Sequence, residues 1–389
     1  MGKSDGAGNG GGVVNAKVLE QAILALGRDT ALLARFRADP AGVGAELGLD
    51  AEWAGVIAEG RRDRLRSAGV VDGITILVSR WFADDLGDST SASRFHVEHS
   101  APLPDPDVPA NLVFAGGCSH VPDLLARPEI DPADGVARLT EGYRRLGERI
   151  AAADPDVLIV TADCHFQSFR TGAFVVGTAA SHTGSMEFFK RPDLDLALTG
   201  APAFARSVVD AVRAEGMEVE EADRVDLDHG LIVPLRQVLP RPDLPVIPII
   251  TQPARTFSPF GARAFGEVLR TVLETRGERV AMLATGGLSH WLDPGRFGGV
   301  DVEFDTYILE MLQAGRGNDL GNLEPYPLLD HGQYEFLNWL IMLGLVGPGV
   351  PAEVLAYEPM EASGGGWTVV DLPLPERAGR ASGREHAHA

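Results

Sequence analysis

The sequence predicts an α/β catalytic domain with a mixed or parallel central sheet flanked by helices, preceded by a small all-α domain. Three observations predict it. From Asn111 onward short β-branched runs alternate with amphipathic segments, whereas Ala16 to about Ala68 shows only three-to-four spacing of apolar residues. The chain has 389 residues, 45% of them hydrophobic and 23% charged, enough to bury one large core beside a small one.

Residues 1–14, rich in Gly and Asn, cannot bury enough apolar surface to order themselves and are expected to form a tail. In 15–88, Val18, Ile23, Leu24 and Leu26, then Leu32, Leu33 and Phe36, repeat at helical spacing among charged residues. Asp39-Pro40 and Gly48-Leu49-Asp50 punctuate the block, the second as a C-cap followed by an N-cap. Ile74 to Phe82 continues the apolar pattern, and no catalytic set occurs in this block. A linker is expected over 89–110, where Pro102, Pro104, Pro106 and Pro109 stiffen the chain. His96 and His99 in it are expected to be solvated.

The α/β region covers 111–375. Asn111 to Ala115, Val157 to Thr161, Val246 to Ile250 and Val280 to Thr285 read as strands. Val136 to Ala152, Ala203 to Ala214 and Gly261 to Thr275 read as helices. Alternating strands and helices bury both faces of a sheet and place reactive groups in loops at the strand ends. Residues 376–389 are expected to be a second polar tail.

A formal charge of −21 argues against nucleic acid or an anionic membrane as partner. No apolar run is long enough to span a bilayer, and the first residues lack the apolar core of a signal peptide, so a cytoplasmic location is expected. Cys118 and Cys164 make no disulfide framework and are expected to be reduced and half-buried.

Four histidines share one kind of position. His120 follows the first strand of the α/β region in Gly116-Gly117-Cys118-Ser119-His120, and His165 follows the second in Asp163-Cys164-His165. His290 follows the Val280 to Thr285 strand through Gly286-Gly287-Leu288-Ser289. His229, in Leu227-Asp228-His229-Gly230, opens the apolar run Leu231-Ile232-Val233-Pro234-Leu235, which reads as buried structure steadying a turn. Histidines gathered at strand ends point to a shared metal site. Two imidazoles and a carboxylate on one face of an ion suit Fe(II), and zinc with three ligands and a water fits the same composition. Glu335 is the preferred carboxylate, because a charge at the head of so apolar a run as Phe336 to Met342 needs a cation to meet it. Glu303 and Asp163 compete for that role.

In order and spacing, the segments Gly117 to Pro122, Asp163 to Phe169, Asp226 to Leu235, Gly286 to His290, Glu303-Phe304-Asp305 and Glu335 to Met342 resemble the class III extradiol ring-cleavage dioxygenases of the protocatechuate 4,5-dioxygenase type. The resemblance covers about 111–375, and residues 15 to about 85 are similar to the small helical subunit of those enzymes, here fused in front. It implies that His120, His165 and Glu335 bind a non-haem Fe(II), that His290 is the acid/base histidine, and that His229 stands close to substrate and oxygen. Asp226 or Asp228 would then orient the His229 ring. The implied reaction inserts both atoms of O₂ into a catechol-type ring and opens it to a semialdehyde, in aromatic catabolism. A homodimer of the fused chain is the matching expectation, since the related enzymes pair an α with a β chain.

His331 and Gln333, in the turn just before Glu335, depart from the Ser-containing turn of the protocatechuate enzymes and are assigned to substrate binding. That departure leaves room for an aminophenol, a hydroxypyridone or another ortho-heteroatom ring on the same iron. A zinc-dependent hydrolase on the same ligands is the rival reading. His182, in Ser181-His182-Thr183-Gly184, is expected to be exposed.

Overall fold

The computed structural model describes residues 16–28, 30–70, 78, 102–165, 169, 173–253, 256–291, 296, 299–323 and 325–375. Both expected tails, His96, His99 and, apart from Val78, the Ile74 to Phe82 pattern lie outside the described residues. The chain divides into two compact units, residues 1–87 and 88–389.

In the first unit, helices Ala16–Arg28, Thr30–Ala38, Pro40–Glu46, Ala51–Ala58 and Arg62–Ser67 follow one another closely. Asp39 and Asp50 cap the third and fourth, accepting the Gly42 and Trp53 backbone N–H groups at 2.9 Å each. Gly48 takes the positive φ of 78° that ends the third helix, a conformation other residues rarely adopt. Leu19, Ile23, Leu26, Phe36, Ile57 and Leu65 fill a core of this unit's own.

The second unit holds a mixed eight-stranded sheet. Its strands are β1 (Leu112–Cys118), β2 (Val157–Asp163), β3 (Phe174–Gly177), β6 (Val219–Ala222), β8 (Val246–Thr251), β9 (Val280–Thr285), β10 (Glu353–Met360) and β11 (Gly365–Asp371). They lie in the order β10-β11-β1-β9-β2-β8-β3-β6. The central four, β1, β9, β2 and β8, are mutually parallel, and antiparallel β11 and β3 flank them. A smaller sheet joins β4 (Ser181–Gly184), β5 (Leu196–Thr199) and β7 (Asp226–Leu227). The strands β3 to β7, β10 and β11, several of them short or polar, carry too weak a period to be read from sequence.

Every residue of β2, β8 and β9 is buried, because helices cover both faces. Alternate residues divide between the layers: Leu158, Val160 and Ala162 join the core of helices Ala133–Ala153 and His229–Val238. Thr161, on the other face, donates to the Asn338 carbonyl of helix Phe336–Val346 at 3.2 Å. That helix packs on Pro259–Glu274 backbone to backbone: a Cβ on Gly266 would meet the Ile341 carbonyl oxygen at 2.0 Å, and one on Gly344 the Arg263 carbonyl oxygen at 2.1 Å. Such proximity is open only to glycine.

Three local expectations are corrected. His182 is buried at 2% exposure in β4, beneath Gly177 and Gly200, because those glycines leave room for its ring. His229 starts a helix instead of closing a turn, since Asp228 caps the chain there by accepting the Gly230 N–H at 2.8 Å. Of the two free cysteines only Cys164 is part-exposed; Cys118 points into the core from β1. Among the described residues no helix is long and apolar enough to cross a membrane.

Candidate metal centre and active site

The parallel centre of the sheet sets the site, because β1, β9, β2 and β8 end together: Cys118 pairs with Thr285, and Asp163 with Thr251. His120 and His165 each lie two residues beyond such an end. Ser119 is fixed to β11 by exchanging hydrogen bonds with Thr368 at 2.8 and 2.9 Å, which immobilises the backbone carrying His120. The rings of His120, His165 and His229 converge, with centroids 5.0 Å (His120–His165), 5.6 Å (His120–His229) and 4.0 Å (His165–His229) apart. Phe189 closes over His229 edge-on at 5.2 Å.

Hydrogen bonds on the far side of each ring fix which nitrogen faces inward. The Thr285 hydroxyl donates to the Gly230 carbonyl at 2.9 Å, so its oxygen accepts from His120 Nδ1 at 3.0 Å. Asp228 Oδ2 accepts from His165 Nδ1 at 3.2 Å and from the His165 backbone N–H at 3.3 Å. Both imidazoles therefore turn Nε2 toward the centre, the usual orientation of a ligating histidine.

Glu335 precedes the buried helix Phe336–Val346. Its Oε2 accepts the Gly287 N–H, and its Oε1 stands 3.2 Å from His120 Nε2. That nitrogen is buried and has no hydrogen-bond partner among the described residues. A bare Nε2 facing a carboxylate is repelled unless a proton or a metal ion lies between them. Two donors each ~2.1 Å from one ion and at right angles lie about 3 Å apart, so the spacing fits a shared metal. The possible ligand atoms form two overlapping groups, His120 with His165 and His229, and Asp163 with His165 and Glu335, each within 4.8 Å. The result is a candidate 2-His-1-carboxylate site of the type that suits Fe(II). Glu303 is exposed on the first turn of helix Val302–Gln313 and belongs to neither group.

The electrostatics divide the two buried carboxylates. Burial opposes ionisation of both, but the His120, His290 and His165 rings hold Glu335 below the usual carboxylate range. Asp163 is pushed up by burial and by the Glu335 charge, and its Oδ1 is occupied by Thr251, at 3.0 Å, and the Asn338 amide. Burial disfavours the His165 imidazolium, and the Asp228 carboxylate outweighs it, raising the ring to about 9. Metal binding at neutral pH therefore displaces a proton there. His229 is held well below its ordinary pKa by burial and by the neighbouring His165 and His120, so it is neutral.

His290 sits beside this group. Its Nδ1 donates to the Gly364 carbonyl at 2.7 Å, which can only accept, so Nε2 is left as the basic nitrogen. Trp367 flanks the ring at 5.5 Å. Across the turn, His331 Nδ1 meets Asp301 Oδ2 at 2.6 Å and the ring stacks on Phe304 at 4.1 Å. Gln333 is fully buried, its amide N–H donating to Asp305 Oδ1 at 2.7 Å, while its Oε1 has no partner among the described residues. Asp226 is half-exposed and paired with Arg224 at 2.7 Å.

Residues 115–368 match the family described as the catalytic LigB subunit of aromatic ring-opening dioxygenase. The chain belongs to this family. Within the class III extradiol dioxygenases, it is 34% identical over 181 residues to the 2,3-dihydroxyphenylpropionate/2,3-dihydroxicinnamic acid 1,2-dioxygenase of Mycolicibacterium vanbaalenii, covering 44% of this chain and 54% of that one. The corresponding enzyme 1 of Pseudomonas putida is 30% identical over 200 residues, covering 49% and 60%. That of Photorhabdus laumondii is 32% identical over 182 residues, covering 45% and 54%. The chain thus spans little more than half the length of the curated relatives it matches.

Residues that the sequence did not single out complete this candidate site. Thr285 fixes the His120 tautomer, Asn338 holds Asp163, and the Gly287 N–H anchors Glu335. A glycine is required at 287, where a Cβ would meet Trp367 at 2.6 Å. Only the position of Thr285, last in its strand, was a usable signal; the others depend on which chain segments meet.

Proposed function

We propose that the protein is an Fe(II)-dependent extradiol dioxygenase that opens a catechol-type ring beside its two hydroxyls. The observation that carries the reading is the pair of tautomer-locked imidazoles, His120 and His165, converging with the Glu335 carboxylate inside a family match that spans the α/β unit. His120, His165 and Glu335 would hold the metal, which when bound would be chelated by the two catechol oxygens and would let charge pass from the ring to O₂. Asp228 and Thr285 keep the two rings aimed, each occupying Nδ1 and turning Nε2 toward the centre. Glu335, held ionised beside the surrounding histidines, would supply negative charge to the centre.

The remaining residues move protons and position the ring. His290, with Nδ1 tied to Gly364, would take a catechol hydroxyl proton at Nε2 and return it to a product oxygen. His229, neutral and packed against His165, would hydrogen-bond the substrate or oxygen beside the metal without adding charge. His331, held by Asp301, and the unsatisfied Gln333 Oε1 would face substrate polar groups. The relatives' names supply the substrate class to try first, catechols bearing a side-chain carboxylate. In this reading residues 15–88 are an accessory helical domain, 111–375 the catalytic domain, and a homodimer the assembly.

Protein purified without oxygen and loaded with Fe(II) tests it directly. It should consume O₂ with 2,3-dihydroxyphenylpropionate or another catechol and yield a yellow ring-opened product. Stoichiometric zinc with O₂-independent hydrolysis would replace this reading, and an aminophenol turned over in preference to every catechol would narrow it.

A further inference from the structure

Asp305 is fully buried, and four hydrogen bonds converge on its carboxylate. Oδ1 accepts the Ser289 backbone N–H at 2.8 Å and the Gln333 amide at 2.7 Å; Oδ2 accepts the Ser289 hydroxyl at 2.7 Å and the Tyr357 hydroxyl at 2.8 Å. No arginine or lysine is among these partners, so burial without a counter-ion pushes the carboxyl up to about 6 against the pull of four donors. A buried charge held only by neutral donors is costly, and its partners show what the cost is spent on.

Ser289 immediately precedes His290, and Gln333 lies two residues before Glu335. The two segments are joined again by the His290 N–H donating to the Gly332 carbonyl at 2.9 Å. Ser289 Oγ also accepts the Asp301 N–H at 2.9 Å, and Asp301 in turn holds His331. Gly366 on β11 completes the cage: a Cβ there would come within 2.0 Å of Asp305 Oδ2, so the strand carries glycine where the carboxylate fits.

We infer that Asp305 is a positioning residue that clamps the His290 segment, through Ser289, to the Glu335 segment, through Gln333, and so fixes the acid/base histidine relative to the metal carboxylate. The inference rests on the function proposed above. Asp305 touches neither substrate nor metal; it acts through the two loops it joins.

The contrast among its donors provides the test. Ser289 and Gln333 lead to the site, whereas Tyr357 reaches the same carboxylate from β10, at the sheet edge. Ser289→Ala, Gln333→Leu, Tyr357→Phe and Asp305→Asn are compared for thermal melting without metal, Fe(II) affinity by anaerobic titration, and kcat and KM at saturating iron. Ser289→Ala, Gln333→Leu and Asp305→Asn should lower Fe(II) affinity or kcat by roughly 10–100-fold, the range for residues that orient metal ligands, with KM changing less than about threefold in Ser289→Ala and Asp305→Asn. Tyr357→Phe should lower the melting temperature comparably and leave kcat within about threefold. Equal losses of kcat in all four, or melting losses with affinity and kcat intact in Ser289→Ala and Gln333→Leu, would overturn the clamp. If Asp305→Asn does not fold, the Ser289 and Gln333 variants decide. Absence of Fe(II) binding or turnover in the unaltered protein would instead fail the dioxygenase reading itself.

Discussion

Asp228 Oδ2 stands 3.2 Å from His165 Nδ1, while Oδ1 of the same carboxylate accepts the Gly230 N–H at 2.8 Å. One side chain thus orients a candidate ligand and caps the helix that carries His229. Asn keeps the cap and loses the charge; Ala loses both. Asp228→Asn should melt close to the parent protein while binding Fe(II) roughly 10–100-fold more weakly. Asp228→Ala should show that affinity loss and also about 1 kcal/mol of lost stability, from the missing cap. Anaerobic titration and thermal melting check the pair, and unaltered affinity in both would remove Asp228 from the site.

His290 is fixed by a backbone carbonyl and lies outside the proposed ligand set. His290→Ala should therefore retain Fe(II) with affinity within about threefold and lose roughly 10²–10⁴-fold in turnover, the range for a general acid/base. Loss of iron together with activity would reassign His290 as a ligand.

His182 predicts a pH effect on stability. Neither ring nitrogen has a hydrogen-bond partner among the described residues, and burial lowers the pKa from 6.5. The unfolded chain gains a proton near 6.5 that the folded chain resists, so this contribution is complete above ~6.5 and is lost as pH falls from there toward the folded pKa. His182→Leu should show a smaller fall in melting temperature than the parent between about pH 7.5 and 5.5. Equal falls would show that His182 does not contribute.

The helix behind Glu335 owes its place to Gly266 and Gly344. Gly344→Ala should cost roughly 1–3 kcal/mol by overpacking, and Fe(II) affinity should fall with it as the head of the helix shifts. A neutral substitution would mean that the two helices separate without cost.

Much of this site was legible because its chemistry is carried by residue types placed at strand ends. His120, His165 and His290 follow runs whose β character is strong, and Glu335 stands out as a charge before eleven buried residues. Less legible was anything decided by contacts between distant segments. Asp228 was expected beside His229, and the structure turns it to His165, because the carboxylate that caps Gly230 also meets the segment just beyond β2. The exposure expected of His182 fails because Gly177 and Gly200, far apart in sequence, together vacate the volume its ring fills. Asp305 gave no sign of its role, since a buried carboxylate in an acidic helical turn resembles a solvated one until its donors are known.

The proposed function requires this chain to insert both atoms of dioxygen into a catechol. The most direct measurement runs one turnover of the iron-loaded protein in ¹⁸O₂ with 2,3-dihydroxyphenylpropionate or the best catechol found, followed by immediate borohydride reduction of the newly formed ketone or aldehyde and mass spectrometry. Two labelled oxygens in the trapped ring-opened product are predicted. Unlabelled product, with its oxygen drawn from water, or a labelled product whose ring remains closed, would contradict it.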